Sequence, residues 1–162
     1  MTDIKRMNPL KYRSIFIFDV HLGFRGCQAS LVLDFLQSAE CKQLYLVGDI
    51  VDIWAMKNGV YWPEAHNQVV REVLDKAKRG TEVIYTPGNH DELFRTHLGA
   101  DSGNVAVSEE VIHATADGRR SAAKATELAT AIDSWPAKRV RYSRSSSVKG
   151  CEPGRLVAFS TP

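Results

Sequence analysis

Three short apolar runs, each ending abruptly in residues that bind metals or move protons, constrain this chain more than any other feature. Ser14-Ile15-Phe16-Ile17-Phe18 runs into Asp19-Val20-His21. Leu44-Tyr45-Leu46-Val47 runs into Gly48-Asp49, with Asp52 close behind. Val83-Ile84-Tyr85 runs into Thr86-Pro87-Gly88-Asn89-His90-Asp91. A run that is apolar on both faces reads as a strand covered on both sides, the habit of parallel sheets. In open α/β sheets, ligands bind beyond the carboxyl ends of the strands. One such end would be an ordinary turn, because Asn, Asp and Gly are what turns use. Three in succession point to a site.

The segments between these runs have helical period. Gln28 to Ser38 carries Leu31, Val32, Phe35 and Leu36, with Ala39, on one face. Cys41-Lys42 then reads as the turn into the second strand at Gln43. Pro63-Glu64 opens another helix, with Val69, Val70, Val73, Leu74 and Ala77 as its buried stripe and His66 and Asn67 in an exposed first turn. Gly80 ends it after Lys76, Lys78 and Arg79, which suit the negative end of the helix dipole. Glu92 to Leu98 reads as a short helix, and Asn104–Val107 and Glu110–His113 as short strands. The order β-α-β-α-β predicts an α/β fold with a parallel sheet and right-handed crossovers.

Composition excludes several classes. Apolar residues at 44% and charged ones at 25% over 162 residues suit a single soluble domain with a sizeable core. A net charge of +2 favours no particular partner. Cys27, Cys41 and Cys151 are odd in number and far apart, which suits free thiols rather than a disulfide framework. No run approaches a membrane span, and Met1–Leu10 lacks the apolar centre of a signal peptide. The expected location is the cytoplasm, with peripheral contact at the inner membrane compatible with this composition. Nothing in the sequence sets the oligomeric state.

Asp19, His21, Asp49 and Asn89 offer oxygen and nitrogen ligands and no thiolate, a set that suits Mn²⁺, Fe or Zn²⁺. A central carboxylate such as Asp49 can bridge two metals about 3.5–4 Å apart, which clamp a phosphate and make hydroxide at neutral pH. His90 is then placed to protonate the leaving oxygen or to stabilise charge on the phosphoryl group. Asp19 and His21, two apart, point to the same side if the backbone is extended. Asp52 is either a carboxylate supporting the ligands from behind or a helix-start carboxylate. Asp91 either orients the imidazole or caps the following helix. Arg25, between Gly23 and Gly26, reaches an anion or stays solvated. Trp54, Tyr61 and Trp62 line a substrate pocket or pack in the core. Arg25, Trp62, His66 and Asn67 are the candidate substrate contacts. The reaction class is metal-assisted hydrolysis of a phosphoester or pyrophosphate.

The strings D-x-H, G-D-x-x-D and G-N-H-D, in this order, resemble the calcineurin-like metallophosphoesterases over roughly residues 14–117. The stretches FDVHLGFRGCQA, LYLVGDIVDIW, YWPEAHNQVV and VIYTPGNHDE are similar to the UDP-2,3-diacylglucosamine hydrolase-like branch, whose members cleave a pyrophosphate in lipid A precursor synthesis. The resemblance implies the N-terminal half of an αββα sandwich with a mostly parallel sheet. It implies that Asp19 and His21 hold one metal, Asp49 bridges, Asn89 holds the second and His90 assists catalysis. It implies two divalent ions, Mn²⁺ first and Fe or Zn²⁺ next, and a phosphorylated small molecule or nucleotide lipid as substrate, with no nucleic acid as partner. His90 stands where the better-known lipid A hydrolases carry Arg. Two other readings stay open: a general phosphodiesterase or phosphatase, and a non-catalytic remnant that binds metal or a partner.

The family pattern continues with His-Gly-Asp and later Gly-His-x-His, and neither string occurs here. The resemblance fades within Ala116–Arg120, so the expected organisation is a lead-in over 1–13, an incomplete domain over 14–117 and an atypical tail over 118–162. In the tail, Ala125, Leu128, Ala129, Ile132 and Trp135 share one helical face. Arg139, Arg141 and Arg144, beside Ser143 and Ser145–Ser147, read as a solvated or disordered stretch rather than a nucleic-acid arm. A truncated relative or an out-of-frame tail is the expectation. With it go an impaired, half-built site and an exposed sheet edge.

Overall fold

Each apolar run becomes a strand; the first two are buried on both faces, and in the third Val83 is buried and Ile84 and Tyr85 half-buried. The structure is a computed structural model and describes residues 9–99, 103–114, 118, 120–124, 127–128, 138–141 and 155–160, the last two stretches as backbone strands. β1 (Leu10–Phe18), β2 (Ala39–Gly48), β3 (Glu82–Pro87) and β4 (Val105–Val107) run parallel. β8 (Arg155–Ser160) pairs antiparallel with β1, and β7 (Lys138–Arg141) antiparallel with β8. The sheet order is β4-β3-β2-β1-β8-β7. β5 (Glu110–Ala114) and β6 (Arg120–Lys124) form a separate antiparallel pair. The helices are α1 (Ala29–Ser38), the single turn α2 (Ile53–Met56), α3 (Glu64–Lys78) and a 3₁₀ helix (Glu92–His97). The fold is α/β with a mostly parallel sheet, as expected.

Register places like with like. Ile15 and Ile17 of β1 pair with Leu44 and Leu46 of β2, and Leu44 pairs with Val83 of β3. These residues face Val32, Leu33 and Leu36 of α1 and Val69, Val73 and Ala77 of α3 in one apolar core. The alternate residues form the other face. Phe16 stacks on Tyr45 at 4.4 Å between ring centroids, and His113 of β5 meets both edge-on. The β5–β6 pair thus covers the face opposite the helices.

Several local expectations are corrected. β1 begins at Leu10, not Ser14, because Leu10 and Tyr12 already pair with Ala39 and Cys41 of β2 and Tyr12 packs against Phe35. Cys41-Lys42 is not a turn. Ala39 is already extended at φ −123° and ψ 140°, so α1 passes directly into β2, and the buried Lys76 ammonium donates to the Ala39 carbonyl. The helical stripes are narrower than predicted: Leu31, at 50% exposure, and Leu74, at 44%, turn to solvent. β8 pairs along β1, with Phe16 opposite Val157 and Ile17 opposite Leu156. Of the predicted helix around 125–135 only Glu127 and Leu128 fall among the described residues, where Leu128 is buried. Arg144 and Ser143–Ser147 lie outside them. Among the described residues, no helix is long and apolar enough to cross a membrane.

His113 carries a pH dependence. Its Nε2 lies 3.4 Å from Arg13 Nη2 and its Nδ1 lies 3.4 Å from the Tyr45 hydroxyl. Arginine only donates, so Nε2 accepts and the neutral ring keeps its proton on Nδ1. Burial, assisted by the Arg13 charge, pushes the imidazole down to about 4. The unfolded chain therefore takes up the proton first, near 6.5. Stability should fall as pH drops from about 6.5 towards 4. Urea denaturation midpoints should show this loss, and His113→Gln should make the slope in that window shallower. An unchanged slope would assign the loss to other groups.

Candidate metal centre

The parallel strands end at one edge, and backbone pairing continues past them to knit their loops together. His21 N–H donates to Asp49 O at 2.9 Å, Leu22 N–H to Ile50 O at 2.8 Å and Asp52 N–H to Leu22 O at 2.7 Å. This pairing requires a sharp path. Asp19 (φ 51°) and His21 (φ 57°) are left-handed, not extended as the two-residue spacing suggested. Such a conformation costs roughly 1–3 kcal/mol per residue and persists only where surroundings enforce it. Asp19 N–H donates to Val47 O and Asp19 Oδ1 accepts the Asp49 N–H at 3.2 Å.

Two glycines permit the close approach. A Cβ at Gly88 would lie 2.2 Å from Asp49 Oδ1 and 2.9 Å from the backbone of Gly48. At Gly48 (φ 82°) it would lie 2.3 Å from Asp19 Oδ1. The Pro87-Gly88 turn can therefore lie flat against the Gly48-Asp49 turn, and Gly88 N–H donates to Gly48 O at 3.2 Å.

Asp52 is the hub of the site. Its carboxylate is 2% exposed and takes three hydrogen bonds: from Ala55 N–H at 2.8 Å, and with Nδ1 of both His21 and His90 at 3.0 Å. It is thus a helix cap and a support for both imidazoles at once, the two roles the sequence left open. Burial opposes its ionisation, but the Ala55 N–H and the two imidazoles outweigh that and hold its carboxyl below the usual range. The two rings stand edge to face at 5.1 Å, and Trp54 lies parallel on His90 at 4.4 Å.

Asp91 begins the following helix, as one of the two expectations had it, but its carboxylate does other work. It stands at the N-cap position of the 3₁₀ helix, but its side chain makes no cap bond there and serves other donors. Fully buried, it accepts Gly88 N–H at 2.6 Å, Ile50 N–H at 2.9 Å, Val51 N–H at 3.3 Å and a short bond from the Tyr85 hydroxyl. Burial raises its carboxyl above the ordinary range, against the pull of these donors. Its work is to fasten the third loop to the second.

His21, Asp49 and His90 each present a ligand atom, all within 4.8 Å of one another. His90 N–H donates to Asp49 Oδ1 at 2.8 Å, and His90 Nε2 lies 4.0 Å from Asp49 Oδ2. With bonds of about 2.0–2.2 Å, a divalent ion fits such a group after small side-chain adjustments. Both Nδ1 atoms are tied to a carboxylate, the usual support of a metal-binding histidine. Asp19, Asp49 and Asn89 line one cavity of about 390 Å³ with Arg95, Glu109 and Lys124.

The four candidate substrate contacts gather elsewhere, and none lines that cavity. His66 is buried rather than exposed, because its Nδ1 accepts Gly23 N–H at 3.0 Å and the Tyr61 and Trp62 rings meet it edge-on. Burial lowers its pKa, so the ring stays neutral with its proton on Nε2. Trp62 Nε1 donates to Asn67 Oδ1 at 2.9 Å, and Arg25 lies over the Tyr61 ring at 4.6 Å. This cluster pins the loop that carries His21. Tyr85, Arg95 and Lys124 escaped the sequence reading, since only spatial proximity marks them.

No protein-family model and no curated protein matches the chain. Among solved structures it is similar to the crystal structure of Pseudomonas putida nuclease MPE, at 22% identity and a TM-score of 0.36. The likeness covers 61% of this chain and 48% of that one, so the matched region is about half the length of the nuclease.

Two substitutions test the geometry. Asp52→Asn should weaken Mn²⁺ or Zn²⁺ binding about 10–100-fold, the usual cost of losing such support, as read by calorimetric titration. Gly88→Ala should destabilise the protein by about 1–3 kcal/mol in urea titration, because neither Asp49 nor the Gly48 backbone can yield.

Proposed function

We propose that this chain is a metal-dependent hydrolase of phosphoester or pyrophosphate bonds. One observation carries the reading: a single buried carboxylate, Asp52, holds both His21 and His90 by Nδ1 beside Asp49. Unlike Asp91, whose partners are three backbone N–H groups and a tyrosine hydroxyl, this carboxylate joins two imidazoles beside a third ligand-type side chain. In this reading Asp19, His21, Asp49 and Asn89 would hold the divalent metal. Bound divalent ions supply a hydroxide nucleophile and Lewis acidity. The chain's own groups do the rest. His90 keeps Nδ1 on Asp52 and turns Nε2 towards the reacting group, where it delivers a proton to the leaving oxygen. Trp54 shields one face of that ring.

The finer reading is a UDP-2,3-diacylglucosamine-type nucleotide lipid as substrate, cleaved in the cytoplasm with peripheral contact at the inner membrane. Its support is the sequence resemblance around Gly48–Trp54 and Thr86–Glu92. The test is hydrolysis by Mn²⁺-loaded protein of three probes: a nucleotide diphosphate lipid, a phosphodiester and a phosphomonoester. Asp49→Asn should lower the rate by several kcal/mol of barrier, on the order of a thousandfold, and chelation should do the same. Absence of metal-dependent turnover on all three probes would leave a metal- or partner-binding remnant and overturn the proposal.

A further inference from the structure

The cavity beside Asp49 and Asn89 is also lined by two cationic side chains. Arg95, on the 3₁₀ helix, and Lys124, on β6, line it together with Asp19, Asp49 and Asn89. Arg95 is held there: its Nη2 donates to Pro87 O at 3.0 Å, on the same turn that carries Gly88 and Asn89. The turn is itself fixed, because Asp91 accepts Gly88 N–H at 2.6 Å and its carbonyl accepts Phe94 N–H at 3.0 Å to start the 3₁₀ helix. Asn89 and Arg95 therefore ride on one braced unit.

Arg95 has five N–H donors and no acceptor, and the bond to Pro87 uses one nitrogen. Among the described residues, neither Arg95 nor Lys124 forms an ion pair, although Asp19, Asp49 and Glu109 line the same cavity. A bracing role alone would need neither the guanidinium charge nor a second cation arriving from another strand. Two cations lining one cavity of about 390 Å³ together with Asp19, Asp49 and Asn89 suit a substrate with two adjacent anionic groups. One would meet the Asp49 and Asn89 ligands and the other the arginine fork, which matches phosphate oxygens two at a time.

We infer that Arg95, seconded by Lys124, is the specificity residue that holds the non-reacting phosphate of a diphosphate-linked substrate. The inference rests on the hydrolase reading for the word substrate. It makes the chain selective for diphosphates over monophosphates through a residue outside the metal-binding strings.

The experiment is equilibrium titration of the Mn²⁺-loaded full chain, at fixed free Mn²⁺, with methylenediphosphonate and with methylphosphonate, neither of which can be hydrolysed. Turnover of a diphosphate diester is measured in parallel. Arg95→Gln should weaken methylenediphosphonate about 10–100-fold and methylphosphonate less than about threefold. Arg95→Lys, which keeps the charge and loses the fork, should fall between. Lys124→Gln should shift selectivity the same way by a smaller factor. Equal weakening of both probes, or of neither, in folded Arg95→Gln protein overturns the inference. If that variant does not fold, the same comparison in Arg95→Lys and Lys124→Gln decides it: selective loss supports the assignment, and equal loss overturns it. Selectivity that depends on Arg95 without turnover sinks the hydrolase reading alone. Turnover with selectivity indifferent to Arg95 sinks this inference alone.

Discussion

A carboxylate buried among two imidazoles and a helix N–H is the interaction on which the rest of this site depends. Burying an ion without partners is prohibitive. Asp52 is tolerated because Ala55 N–H, His21 Nδ1 and His90 Nδ1 all converge on it. The requirement runs both ways. The two histidines come from different strand ends, and the shared carboxylate holds both by Nδ1 while the rings stand edge to face. Removing it would take the shared Nδ1 partner from buried His21 and half-buried His90 and leave a helix start without its side-chain cap.

A second buried carboxylate solves a different problem. Asp91 lies directly after the Asn89-His90 pair, yet it serves backbone. It collects N–H groups from Gly88, Ile50 and Val51 and a hydroxyl from Tyr85. These donors sit in loops beyond the strand ends, where the carboxylate adds to the bonds that Gly88 and Ile50 N–H make to Gly48 O. Buried backbone donors must be paired, and one carboxylate pairs three of them. The glycines at 48 and 88 complete the arrangement by letting two turns touch. His66 does similar work for the first loop through Gly23.

Much of the fold was legible because hydrophobic period is a local signal. The runs at 14–18, 44–47 and 83–85 lie inside the observed strands, and Glu64–Lys78 begins where Pro63 predicts. What failed was decided by distant contacts. Tyr12 extends β1 because Phe35 and β2 lie beside it. Ala39 passes straight into a strand because Lys76, 37 residues later, holds its carbonyl. His66 reads as an exposed first-turn residue until Gly23, Tyr61 and Trp62 close over it. The strand β8 beside β1 has no signature beyond a short apolar run.

By itself the sequence determined which residues could do chemistry. Apolar strands ending in Asp19, His21, Asp49, Asn89 and His90 must bring those groups to one edge of a parallel sheet, because parallel strands share a direction and hence an end. Only the tertiary structure decided how the groups are used. Left-handed backbone at Asp19 and His21 replaces the extended path, so alternation could not give side-chain direction there. Asp52 acquires two imidazole partners, and Asp91 turns from the site to the backbone. Arg95 and Lys124 reach the cavity from elements that no local spacing connects to it. Spacing along a chain reports period and direction. It carries no information about which buried donor finds which acceptor, since that is settled when separate loops are packed against each other.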